Sequence, residues 1–225
     1  HHFVPKAYLK AWTNEKGRLL VYRKDEPTKP LPVAPDNGLF RTYYYSQPRP
    51  DGGQDNNGLE PIFSDLESAW PPLVAAMERY ENVNDRLETL IQFTALQRVR
   101  VPAARDAAEF VLAERVRAQL ASMIRSGDLP PAPEKLGDLG QAIDISIDPH
   151  QSIHAMPVLL KGVGEMLDRV GLTIVHNTSG RDFLTSDNPV MWFDPGLPFD
   201  EQRPYTVDLD SGEIFLIFPV SPTLA

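Results

Sequence analysis

Residues 59–80 read LEPIFSDLESAWPPLVAAMERY, and this stretch decides the class of fold. Ile62, Phe63, Leu66 and Trp70 recur at the spacing that places side chains on one face of a helix. Pro71 and Pro72 lack the N–H that a helix interior needs. The pattern therefore predicts one helix over 59–70 and a second over 72–80. Downstream, Asn84 is a suitable N-cap for a helix running to about Arg100, with Leu87, Leu90, Ile91, Phe93 and Leu96 as its apolar positions. Pro102 opens a further helix that runs to about Arg125 and stops at Gly127, because proline suits a first turn and glycine a left-handed cap. A Pro/Gly-rich linker over 128–140 follows. Residues 150–169 then read as a helix, weakened by Pro157 and two glycines.

Both flanks of this helical segment read as strands. After a short helix over 7–12 behind Pro5, the turn from Asn14 to Gly17 leads into a strand at 19–23. Residues 26–38, with their prolines, read as a loop. The aromatic run 40–45 reads as a strand paired with the first, and 48–58 as a second loop. Past Gly171, strands are expected at 172–176 and 183–185, and a hairpin of 205–209 with 213–218 around Asp210-Ser211-Gly212. Strands, then helices, then strands imply an α+β fold, with a central helical segment and a small mixed or antiparallel sheet built from N-terminal and C-terminal strands. The expectation is one domain over 1–225, cut short at both ends, with regions 1–58, 59–170 and 171–225.

Composition narrows the function classes. With 42% hydrophobic residues among 225, the chain can bury a core without metal or disulfide staples. A formal charge of −9 argues against general nucleic-acid binding, since an acidic surface repels phosphate backbones. The richest basic group, Arg98, Arg100, Arg105, Arg115 and Arg117, is interleaved with Asp106, Glu109 and Glu114, as on a solvated helix face. The absence of cysteine excludes a disulfide framework, a thiolate zinc site and a cysteine nucleophile, and suits a reducing cytosol. A cytoplasmic protein without a membrane partner is expected, because no apolar run approaches bilayer-spanning length. Gly162 and Gly164 lack the third glycine of a dinucleotide fingerprint, and no phosphate-binding loop of the Walker type occurs.

Five polar groups could carry chemistry. His1 and His2, just before a helix, could bind a metal or exchange protons, or simply lie on the surface. Glu60, Ser64 and Glu67 share a helix face, where Glu60 also suits the positive helix terminus. Arg98 and Arg100 could form an anion clamp or complement a helix C-terminus. Ser186, Asp187 and Asn188 leave a strand where ligand-binding turns often sit, although Asn188-Pro189 equally describes a plain turn. Asp187 could hold a hard cation or orient a histidine. Ser186 lacks the glycines of a nucleophile elbow, which excludes an ordinary serine hydrolase. His150 and His154 have zinc-like spacing, but Gln151 stands where a zincin needs glutamate.

The opening block from His2 to Trp12, the run Thr185-Ser186-Asp187-Asn188-Pro189, and the blocks 97–102 and 218–222 occur in an order that resembles the bacterial "domain of unknown function 4238" family. The resemblance spans nearly the whole chain and implies a fold family without a settled reaction. It marks His2 as native, and it groups His2, Glu60, Glu67, Arg100 and Asp187 as polar motif positions for which one shared site is expected. The leading functional expectation is a hydrolase-like enzyme acting on a phosphate-containing substrate, with a small molecule or a nucleic acid as candidates. In it, His2, Glu67, Arg98, Arg100, Ser186 and Asp187 form the catalytic set, and His2, Glu60, Glu67 and Asp187 hold a divalent metal ion. The alternative is a non-catalytic module that binds another protein, with the same polar residues as a structural network.

Overall fold

A computed structural model describes residues 1–55, 58, 60–130, 144–202 and 214–225. The helices among these residues are α1 (Lys6–Leu9), α2 (Glu60–Glu78), α3 (Leu87–Arg100), α4 (Pro102–Ser126) and α5 (Pro149–Leu167). The α+β class holds, with small antiparallel sheets beside the helices. No described helix is long and apolar enough to cross a membrane.

The region 59–80 corrects the expectation of a break, for α2 continues through Pro71 and Pro72. Both prolines are exposed, while Phe63, Trp70, Leu73, Val74 and Met77 are buried on the other side. The carbonyls of Glu67 and Ser68, which lose their helical partners, thus lie on the side open to water. Burial along one uninterrupted apolar face outweighs the two missing hydrogen bonds. Asn84 does not cap the next helix. It opens a 3-10 turn, Asn84–Arg86, that leads into α3. Pro102 and Gly127 act as expected: Pro102 opens α4, and Gly127 closes it at φ 82° with its N–H on the Ile124 carbonyl.

Helix α3 is the centre of the molecule, in contact with α2, α4 and α5. Every residue from Phe93 to Arg100 is buried, so this half of the helix has no wet face. A helix enclosed on all sides buries any charge it carries, which is why Arg98 and Arg100 are inside. Against it, Trp70 stacks on Phe93 with ring centroids 3.7 Å apart, and Phe218 lies beside both rings. By contrast, Ala104 alone is buried in α4, and Phe110, Val111 and Val116 point outward.

Among the described residues the strands form three separate antiparallel pairs rather than one sheet joining the chain ends. β1 (Leu19–Val21) pairs with β2 (Leu31–Val33), β3 (Gln47–Pro48) with β4 (Gln54–Asp55), and β5 (Met191–Phe193) with β6 (Phe215–Ile217). Two expected partners are replaced. The proline-rich loop supplies β2, because Leu31 and Val33 flank Pro32 with their N–H groups intact. The run 40–45 meets the N-terminus instead, through a bridge of Phe40 to His2. Left-handed backbone at Leu39 (φ 52°) and Tyr43 (φ 57°) prevents a regular strand there. The expected strand 205–209 lies outside the described residues. Residues 172–176 and 183–185 are extended but not strands. They bond to the chain end instead: Val175 exchanges two N–H···O bonds with Ala225, at 2.8 and 3.0 Å, and the Phe183 N–H donates to the Pro222 carbonyl.

Candidate functional site

Two residues two positions apart on a helix do not face each other, and Arg98 and Arg100 accordingly serve different places. Arg98 is buried and donates to the Val190 carbonyl at 3.0 Å, with its guanidinium carbon 5.8 Å from the centre of the Trp192 ring. Arg100 points to the other side, towards α2 and the N-terminus.

Arg100 is the hub of a largely enclosed polar group. It is 3% exposed. One terminal nitrogen donates to Glu67 at 2.7 Å, and the other donates to the backbone carbonyl of His2 at 2.5 Å. The Phe63 ring lies under the guanidinium, 4.7 Å from its centre. Nε is the one nitrogen without a bond. The Tyr45 hydroxyl donates to the Arg100 carbonyl at 2.9 Å. Burial works against the charge, but Tyr45 and Glu67 more than offset it, so Arg100 is held above its ordinary pKa and stays protonated.

His2 therefore reaches the cluster through its backbone. Its imidazole lies beside Phe40, and its Nε2 donates to the Pro35 carbonyl at 3.2 Å. A carbonyl can only accept, so the proton sits on Nε2. Glu67 is bonded to Arg100 and 26% exposed. Ser186 and Asp187 lie apart from this group on an exposed turn, where Ser186 Oγ donates to the Asn188 carbonyl and accepts from the Asn188 N–H. Glu60 opens α2, and its side chain, like that of His150, lies outside what is described. Of the candidates, then, His2, Glu67 and Arg100 come together, while Arg98, Ser186 and Asp187 do not join them. Among the described residues, no three or more histidines and carboxylates are placed to share a metal ion.

A second knot carried no role in the sequence reading. Tyr8 is fully buried, and its hydroxyl lies 2.6 Å from both the Pro219 carbonyl and Thr185 Oγ1. The carbonyl can only accept, so Tyr8 donates to Pro219 and Thr185 donates to Tyr8. Three blocks separated by most of the chain thus meet at one oxygen. The sequence signal was their joint presence, but nothing in it indicated that a tyrosine would join them. Burial pushes the Tyr8 phenol well above its ordinary 10.0. The folded state favours the protonated phenol, so this contribution is intact below pH ~10 and falls as pH rises further. Tyr8→Phe leaves Pro219 and Thr185 without their partner and is expected to cost about 1–3 kcal/mol. It should also flatten the decline in stability above pH ~10, both measurable by urea unfolding from pH 7 to 11.

A cleft of about 450 Å³ lies between α4 and α5, with Arg98 and Val99 of α3 and Trp192 of β5 also lining it. Among the described residues, its walls are apolar apart from Arg98.

The family model described as "Protein of unknown function (DUF4238)" matches the chain over residues 1–225. No curated protein and no solved structure matches the chain.

Proposed function

The chain belongs to the DUF4238 family over its whole length, and from that premise we propose that it is a non-catalytic protein-interaction module whose polar motif residues form a structural network. The observation that carries this reading is the enclosure of Arg100. A group that must meet substrate needs an open face, whereas both terminal nitrogens of Arg100 are committed to Glu67 and to the backbone of His2. Such a cluster fixes the N-terminal segment against α2 and α3. Removing one member leaves the others buried without partners.

The interaction surface is supported by the β5–β6 pair. Met191 faces Ile217 and Phe193 faces Phe215 in register, and all four are exposed. Strand alternation sends Trp192 and Leu216 inward and gathers these four side chains on the outer face. A contiguous apolar patch of this kind is where protein partners dock. A cysteine-free chain suits the reducing cytosol, where we place it.

The test pairs stability with activity. Glu67→Ala should lower the melting temperature by several degrees, because it strands the Arg100 charge. The unaltered protein with manganese should leave p-nitrophenyl phosphate and bis-p-nitrophenyl phosphate intact. Metal-dependent hydrolysis that Glu67→Ala abolishes at an unchanged or raised melting temperature would replace this reading with the phosphate-directed hydrolase.

A further inference from the structure

Phe199 is 92% exposed, although it belongs to a loop held by several hydrogen bonds. The loop leaves β5 at Asp194 and turns back through a 3-10 segment, Phe199–Glu201. Gln202 closes it. The Asp194 N–H donates to Gln202 Oε1 at 3.0 Å, and Gln202 Nε2 donates to the Asp194 carbonyl at 2.7 Å and to the Leu197 carbonyl at 2.9 Å. Asp194 Oδ1 also accepts from the Gly196 N–H at 2.8 Å. These bonds fix the backbone without burying the ring. A phenyl ring held in water gains almost nothing from folding. A partner that covers it gains the whole apolar surface of the ring and has little loop entropy to overcome. Fixed aromatic side chains of this kind are the usual anchors of protein interfaces.

The loop starts where the outer face of the β5–β6 pair ends, because Asp194 directly follows Phe193, and Phe193 lies opposite Phe215. Three residues of strand make that face roughly 10 Å long. About two turns of a helix cover this length and present apolar side chains at the spacing that grips such a surface. Charge selects among helices. Residues 181–203 hold five carboxylates and two arginines, and residues 214–225 hold no charged side chain. Glu201, two residues from Phe199, is exposed. Two copies of this face would set like charges against each other, and an anionic lipid surface would be repelled, whereas a basic helix is attracted.

Building on the interaction reading, we propose that the β5–β6 face and Phe199 receive a basic amphipathic helix of a partner protein. Phe199 enters the apolar stripe of that helix, and Glu201 meets its lysines or arginines.

The probe is a fluorescein-labelled leucine–lysine peptide of about four helical turns, compared with a leucine–glutamate peptide of the same pattern. Anisotropy is read on the intact chain. The lysine peptide should bind saturably, and more weakly as salt rises. The glutamate peptide should not bind. Phe199→Ser should weaken the lysine peptide about tenfold or more, and Glu201→Gln about two- to threefold. Phe215→Ser, on the strand face, should weaken it too. Phe199 and Glu201 are both exposed, so their variants should melt within about 2 °C of the original. The proposal is overturned if the lysine peptide does not bind, if Phe199→Ser leaves its affinity unchanged, or if the glutamate peptide binds as well. It is also overturned if phosphatidylcholine vesicles carry the protein in flotation and Phe199→Ser releases it, or if sedimentation shows a dimer that Phe199→Ser disperses. A glutamate-peptide complex or a dimer leaves the interaction reading standing, whereas metal-dependent phosphoester hydrolysis by the same chain overturns that reading itself.

Discussion

Arg100→Met is expected to lower stability by about 3–5 kcal/mol, the range for removing one member of a buried ion pair. Methionine approximates the length and apolar stem of arginine, so little of the loss comes from empty space. What disappears is the donor to Glu67, the donor to the His2 carbonyl and the cation over Phe63. The His2 carbonyl lies in a part-buried setting and Glu67 is 26% exposed, so water can rescue Glu67 partly and the carbonyl less. In a chain of this size the change should appear as a fall of about 10 °C in melting temperature. Arg100→Lys should recover only part of it, because one ammonium head cannot span two acceptors as a planar fork does. A melting temperature within about 1 °C of the original for Arg100→Met would mean that the cluster is not structural.

Trp70→Ala should cost a similar amount, about 3–5 kcal/mol, through a different mechanism. Trp70 is 1% exposed and its ring lies flat on Phe93, with Phe218 beside both. Truncation removes the largest buried side chain at the junction of α2, α3 and the C-terminal segment, and the surrounding helices can close only part of the space. Trp70→Phe keeps an aromatic face against Phe93 and should recover more than half of the loss. Denaturant unfolding of the two variants separates these outcomes. Equal losses in both would show that a phenyl ring at position 70 recovers neither the filled volume nor the stack on Phe93.

The helices were legible because helical burial follows from spacing within a dozen residues. Phe63, Leu66 and Trp70 mark one face of α2, and Pro102 and Gly127 mark both ends of α4. The exceptions were also local in form but not in cause. Pro71 and Pro72 read as a break, and what overrode them was the burial of Trp70, Leu73 and Met77 on a shared face. The strand partners could not be read. Each paired segment is at most three residues long, too short for alternation to fix a register, and β2 formed within a proline-rich stretch that reads as a loop. The candidate site shows the same limit. The motif positions His2, Glu60, Glu67, Arg100 and Asp187 were expected in one site; His2, Glu67 and Arg100 meet, but His2 joins through its backbone carbonyl rather than its imidazole. It also treated Arg98 and Arg100 as equivalent, although their two-residue separation sends them to opposite sides of α3.

The meeting at Tyr8 bears on how the chain reaches its native state. Residues 8 and 219 are far apart in sequence, so a long loop must close before that hydroxyl finds its acceptor. On a ribosome, α1 emerges early and waits for Thr185 and Pro219, while α2 and α3 can already pack on each other. This early segment is therefore among the last to be secured. Until it is, Val4, Tyr8 and Leu9, which end up buried, are exposed to whatever chaperone or protease is nearby.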